Sequence, residues 1–129
     1  MLPKRKQKAE DGNKRWRSPA HTGWVTKTFS CAMCGSTTNV VFAHYRYGSH
    51  TGMQRKPDDW RGTPLCDGPY SNSDGYLGCH DRQHVIGEPA FWREYEQLHG
   101  QSVDDLIDSL CNASPKKQDI ARIRRERGL

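Results

Sequence analysis

The sequence predicts a small α+β domain held together by bound metal. It has a pair of short strands, a helix after them, further helices toward the C-terminus and a flexible basic arm at the N-terminus. Three observations lead there. Only 33% of the 129 residues are hydrophobic, and 12 Gly and 7 Pro interrupt them, so the core is thin and needs a staple. Five Cys are present. No apolar segment follows the charged N-terminus, so no secretory leader is expected, and thiols in a non-exported chain point to metal rather than disulfides. The middle of the chain reads strand, loop, strand, loop, helix, with a pair of Cys at each end.

Each element has its own warrant. Residues 1–17 are polar and form the arm, with Trp16 and Trp24 flanking "RSPAHTG" and anchoring it. "WVTKTFSC" alternates loosely and reads as extended or as a short helix. "CAMCG" is a tight turn. "NVVFAHYRY", residues 39–47, is rich in β-branched and aromatic residues and reads as a strand. "GSHTGMQRKPDD" carries two Gly and a Pro and reads as a loop, and "GTPLC" as the second strand. Residues 67–78 form a second Gly-rich loop. "CHDRQHVIG" opens a helix that stops near Gly87, and Pro89 suits the first turn of a helix that ends at Gly100. Ser102 caps "SVDDLIDSLC", with Val103, Leu106, Ile107 and Leu110 on one face. The stretch "SPKKQDIARIRRERGL" is a basic helix start or tail. The organisation is an arm at 1–17, a domain at 18–100, and a helix with a basic tail at 101–129. No run of 18 apolar residues exists to span a membrane.

Charge is unevenly spread. The balance is +5 over residues 1–17, −4 over 18–115 and +4 over 116–129. Basic ends on a mildly acidic middle are either solvated tails or a sequence-independent attraction to a phosphate backbone.

Cys31 and Cys34 form Cys-x2-Cys before Gly35, which sets two thiolates at one tetrahedral corner. Cys66 and Cys79 are the natural second pair, provided the loop between them folds outward. Four Cys then hold a structural Zn²⁺. Cys111, beside Leu110, is a small core residue rather than a ligand.

His80 and His84 are spaced i, i+4, so a helix brings both rings to one face. His44 ends the first strand, and Asp59 in "KPDDW" precedes the second. A strand His, a loop acid and a helical His pair match the needs of phosphodiester hydrolysis. A neutral His can deprotonate water, and a divalent ion on His and carboxylate ligands can stabilise charge on the phosphorane. No Ser or Cys is placed for a nucleophilic triad.

"CAMCG…VVFAHYR…KPDDW…PLC…CHDRQH", with "GEPAFW" after it, resembles the HNH, or ββα-metal, nucleases, and in particular the small phage and prophage Ref-like and YbcO-like recombination nucleases. The resemblance covers about residues 18 to 95. It implies a zinc-stapled ββα-metal core and a metal-dependent DNA endonuclease with His44 as general base. Asp59, His80 and His84 would hold the catalytic ion (Mg²⁺, Mn²⁺, Ni²⁺ or Zn²⁺), and Cys31, Cys34, Cys66 and Cys79 the structural zinc. Arg15 and Arg17 in the arm, with Arg46, Arg55, Lys56 and Arg61 around the cleft, are the candidate DNA contacts. The implied setting is the cytoplasm of a bacterial host, in recombination, DNA processing or packaging, with phage or host proteins as further partners. Two features depart from the pattern. Ala43 stands before the base, where most such sites have an acid or His, so Asp59 inherits the third ligand position. The loop at 67–78 is inserted where Cys and His usually follow "PLC" directly. The competing reading is a zinc-binding module that uses its basic ends on DNA without cutting it.

Overall fold

The computed structural model describes residues 14–47, 57–71 and 77–129. Along the chain these form α1 (Pro19–Thr28), β1 (Val40–His44), β2 (Gly62–Cys66), α2 (Cys79–Ile86), α3 (Glu88–His99), α4 (Val103–Ala113) and α5 (Lys117–Glu126). The class is α+β, with five helices and one two-stranded sheet among the described residues. No helix among them is long and apolar enough to cross a membrane.

The strand pair is the pivot. β1 and β2 run antiparallel, with Val40 opposite Cys66, Phe42 opposite Pro64 and His44 opposite Gly62. Every residue of β2 is buried, which explains why "GTPLC" shows no polar alternation: both of its faces are covered. Gly62 is required by close approach, since a Cβ there would stand 2.4 Å from the Phe42 ring and 2.8 Å from the Ala43 carbonyl oxygen.

Local chemistry explains the helix ends. Ser18 caps α1 by accepting from the His21 N–H at 3.2 Å, and Pro19 opens the first turn. The stretch "WVTKTFSC" therefore holds the end of a helix that begins upstream of it, followed by extended backbone at Phe29. Ser102 caps α4 through the Asp105 N–H, and Gly100 closes α3 in a left-handed conformation, φ 70°. The C-terminal basic stretch is a full helix, α5, that buries Ile120 and Ile123.

One core runs through the described residues. It joins Leu65 of β2, Phe91 and Trp92 of α3, Ile107 of α4, and Ile120 and Ile123 of α5. Within it, Trp92 Nε1 donates to the buried Gln83 side chain of α2 at 2.8 Å, and Arg82 pairs with Glu94 at 2.7 Å on the rim. These bonds lock α2 onto α3 and so fix the direction in which α2 leaves the cysteines.

Candidate functional site

Four cysteines converge where the knuckle after α1, the end of β2 and the start of α2 meet. The Sγ atoms of Cys31, Cys34, Cys66 and Cys79 all lie within 4.8 Å of one another. A tetrahedral ion with Zn–S bonds of about 2.3 Å separates its sulfurs by about 3.8 Å, and Cys34 and Cys66 stand 3.7 Å apart. The knuckle is built by backbone: Gly35 N–H donates to the Cys31 carbonyl at 2.9 Å, and Gly35 sits at φ 82°. Ala32 N–H donates to the Pro64 carbonyl at 2.9 Å and ties the knuckle to β2. Cys31, Cys66 and Cys79 are buried, while Cys34 is exposed.

The insertion between Cys66 and Cys79 does not separate their thiols. Asp67 N–H donates to the Asn39 carbonyl at 2.9 Å, and Gly68 N–H to the Asp81 carboxylate at 2.8 Å, so the segment leaves and returns close to β2. Gly78 fits only without a Cβ, which would meet the Cys66 carbonyl oxygen and the Ser71 hydroxyl at 2.8 Å.

Crowding shapes the thiol chemistry. A hydrogen bond from Cys79 and several backbone donors bring the Cys31 thiol down to about 4, against burial that pushes it up. Burial pushes Cys34 up to about 11, and donation to Cys31 together with burial pushes Cys79 up. The surroundings thus favour the thiolate at Cys31 and disfavour it at Cys34 and Cys79, a conflict set by packing the sulfurs this closely. A divalent cation removes the conflict by stabilising several thiolates together. The cluster could hold a structural metal ion such as zinc, and it is the one group of three or more His, Cys, Asp or Glu at ligand spacing among the described residues. Cys111 is buried away from it, its thiol donating to the Trp60 carbonyl at 3.4 Å, and burial pushes it up to about 12.

A second constellation surrounds two adjacent aspartates just before β2. Asp59 is buried, and both of its oxygens are engaged. Oδ1 lies 2.8 Å from His44 Nε2 and 2.8 Å from Arg15 Nη1, and Oδ2 accepts from Ser18 N–H at 2.8 Å. Burial pushes the Asp59 carboxyl up, but the bonds from His44, Ser18 and Arg15 outweigh it and bring it to about 2. Asp58 mirrors this arrangement: it accepts from Trp16 N–H at 2.6 Å and from the Arg127 guanidinium at 2.9 and 3.0 Å. The two carboxylates therefore clasp the inner end of the arm and the end of α5 together.

The third constellation lies on α2. His80 Nε2 and His84 Nε2 are 3.2 Å apart, and His80 Nδ1 is 3.1 Å from Asp67 Oδ1. Asp59 is thus engaged with His44, and His80 with His84 and Asp67. Neither set forms a ligand group of three in the described residues.

Of the candidate DNA contacts, Arg15 is committed to Asp59, while Arg17 and Arg46 are exposed. Arg61 lies over the Tyr45 ring at 5.0 Å and donates to the Tyr47 carbonyl at 2.9 Å. The backbone N–H groups of Arg46 and Tyr47 are held by the Glu88 carboxylate at 2.9 and 2.7 Å. Arg55 and Lys56, with residues 1–13 of the arm, lie outside the described residues. Sequence reasoning missed Asp58, Asp67 and Arg127. The doublet in "KPDDW" is a signal for Asp58, whereas nothing local marks Arg127.

Comparison with protein-family models, with curated proteins and with solved structures returns no match for this chain.

Proposed function

We propose that this chain is a metal-dependent DNA endonuclease of the HNH, ββα-metal kind, of phage or prophage origin, with His44 as its general base and a structural zinc on the four cysteines. The observation that carries the reading is the bond between His44 Nε2 and Asp59 Oδ1 at 2.8 Å. Asp59 is held ionised by Arg15, by Ser18 N–H and by His44 itself, and an ionised carboxylate only accepts. The proton of neutral His44 therefore sits on Nε2, and Nδ1 keeps the lone pair that can take a proton from water. Asp59 serves in this reading as the carboxylate that orients the base.

A divalent ion at His80 and His84 would supply charge stabilisation for the phosphorane and the leaving oxygen. His44 ends β1, and His80 and His84 lie on α2, whose start packs at the cysteine cluster beside the end of β2. Arg17 and Arg46 offer exposed cations for backbone phosphates.

Nicking of supercoiled plasmid over a panel of divalent metals tests this, with wild type beside His44→Ala. Loss of a positioned base lowers the rate by about 10² to 10⁴-fold, while folding and DNA affinity stay near wild type. Full activity in the variant removes His44 from the role. Salt-dependent DNA binding without nicking under any metal makes the chain a zinc-binding DNA module instead.

A further inference from the structure

His80 and His84 stand one turn apart on α2 with their Nε2 atoms 3.2 Å from each other. Two imidazole nitrogens bound side by side to one ion at about 2.1 Å lie about 3.0–3.4 Å apart. The pair is therefore already at ligand spacing. What fixes the state of the first ring is on the opposite nitrogen: Nδ1 of His80 meets Asp67 Oδ1 at 3.1 Å. An ionised carboxylate only accepts, so neutral His80 carries its proton on Nδ1 and aims a lone pair from Nε2 at His84. Without an ion, His84 donates its Nε2 proton to that lone pair. An ion entering between the rings replaces this hydrogen, and His84 moves its proton to Nδ1, with no net gain or loss of protons.

Asp67 follows Cys66 directly in the chain, and His80 follows Cys79. Both partners of the second contact are thus immediate neighbours of thiols in the cysteine cluster. The Asn39 carbonyl, accepting from Asp67 N–H at 2.9 Å, pins the Asp67 backbone further. We infer that Asp67 is a positioning residue that fixes the His80 tautomer for a transition-metal site at His80 and His84, and that the cysteine cluster sets the geometry of that site by holding Cys66–Asp67 and Cys79–His80 side by side. Two imidazoles select a borderline ion such as Zn²⁺, Ni²⁺ or Co²⁺ over Mg²⁺ or Ca²⁺. This rests on the reading of His80 and His84 as metal ligands. The ordinary alternative is that Asp67 and His80, 41% and 27% exposed at their side chains, form a surface ion pair with no bearing on metal.

Cobalt titration of the zinc-loaded full chain decides between them. Its readout is the visible spectrum, in which cobalt at the thiolate cluster is told apart by its thiolate charge-transfer band. Wild type binds one Co²⁺ at the imidazole site, and His84→Ala loses it. Asp67→Ala weakens binding by about 10 to 100-fold, and Asp67→Asn recovers part of the loss because its amide oxygen still accepts from Nδ1. Asp67→Ala binding as wild type does, while His84→Ala fails to bind, overturns the role of Asp67 and leaves the ligands standing. Undiminished binding in His84→Ala overturns the ligand reading itself. Should Asp67→Ala lose its zinc or its fold, ¹⁵N shifts of the His80 ring in unmodified protein still decide, since a proton on Nε2 contradicts the inference.

Discussion

Asp59→Asn is the most informative single change, because its cost can be worked out from the structure before it is made. In the native state the carboxyl is held at about 2, against an ordinary value of 3.8. Burial alone would raise it, so the partners supply more than the observed shift. A difference of this size between folded and unfolded chains is worth about 2 kcal/mol. The folded value is the lower one, so this stability is fully present above the unfolded value and is lost as pH falls toward the folded value. Asn keeps the shape but removes the charge, and its single carbonyl oxygen cannot serve His44, Arg15 and Ser18 N–H together. At pH 7 the variant should be less stable by about 2 kcal/mol. For a chain of this size, with a urea slope of about 1–2 kcal/mol per molar, the midpoint drops by about 1–2 M. Tryptophan fluorescence follows the transition, since Trp16 and Trp60 flank the site. The gap between the two proteins should shrink to about half by pH 3. Equal midpoints at pH 7, or a gap unchanged down to pH 3, would refute the account of Asp59 as a paired, ionised carboxylate.

Four further outcomes follow from the same physical reasoning. Arg127→Ala leaves Asp58 buried with its main cation gone, so it should cost about 3 kcal/mol in urea unfolding, more than any exposed Arg of α5. Purified protein should carry one tightly bound Zn²⁺ per chain by elemental analysis, and chelation should unfold the domain, because the core is thin; metal-free protein with unchanged melting would end that idea. Burial lowers the proton affinity of His21, whose Nδ1 meets the Ser114 hydroxyl at 2.8 Å. Its share of stability is present above its unfolded value and declines as pH falls below it, so the melting temperature should drop between pH 7.5 and 5.5, and drop less in His21→Gln. Deleting residues 1–13 removes Lys4, Arg5, Lys6 and Lys8; if half touch phosphate, the slope of log affinity against log salt flattens by about two, and an unchanged slope marks the arm as a solvated tail.

Much of this was open to view in the sequence, for particular reasons. β2 is legible to the residue because Gly62 and the Gly-rich stretch after Cys66 bound a short apolar run. Pro89, Gly100 and Ser102 punctuate α3 and α4 chemically. The four sulfurs are legible as a cluster that could hold a metal because cysteine has few other uses at such spacing, even with an insertion between the last two. α1 hides because its buried positions are His21 and Val25, one polar and one apolar, which leaves almost no hydrophobic period. α5 hides for a related reason: Ile120 and Ile123 are two apolar residues in a run dominated by cations. Partnerships across the chain are hidden altogether. Asp58 and Arg127 are 69 residues apart, and a periodicity argument carries no information at that range.

That long-range pair changes what the basic ends mean. Read as composition, residues 1–17 and 116–129 are two positive arms on an acidic middle. Read as contacts, the inner cations are already in use. Arg15 neutralises Asp59 and Arg127 neutralises Asp58, while Arg124 pairs with Asp108 at 2.9 Å and lies over the Trp60 ring at 4.6 Å. Part of the acidic excess of the middle is therefore the counter-charge of its own termini, folded inward. Asp58 and Asp59 are tolerated in a thin core because both ends of the chain reach back to pair with them. The same clasp holds the Asp59 carboxylate against His44. The ends thus order the residues around Asp58 and Asp59, and Lys14 and Arg17 at the inner end of the arm keep exposed side chains outside these pairs.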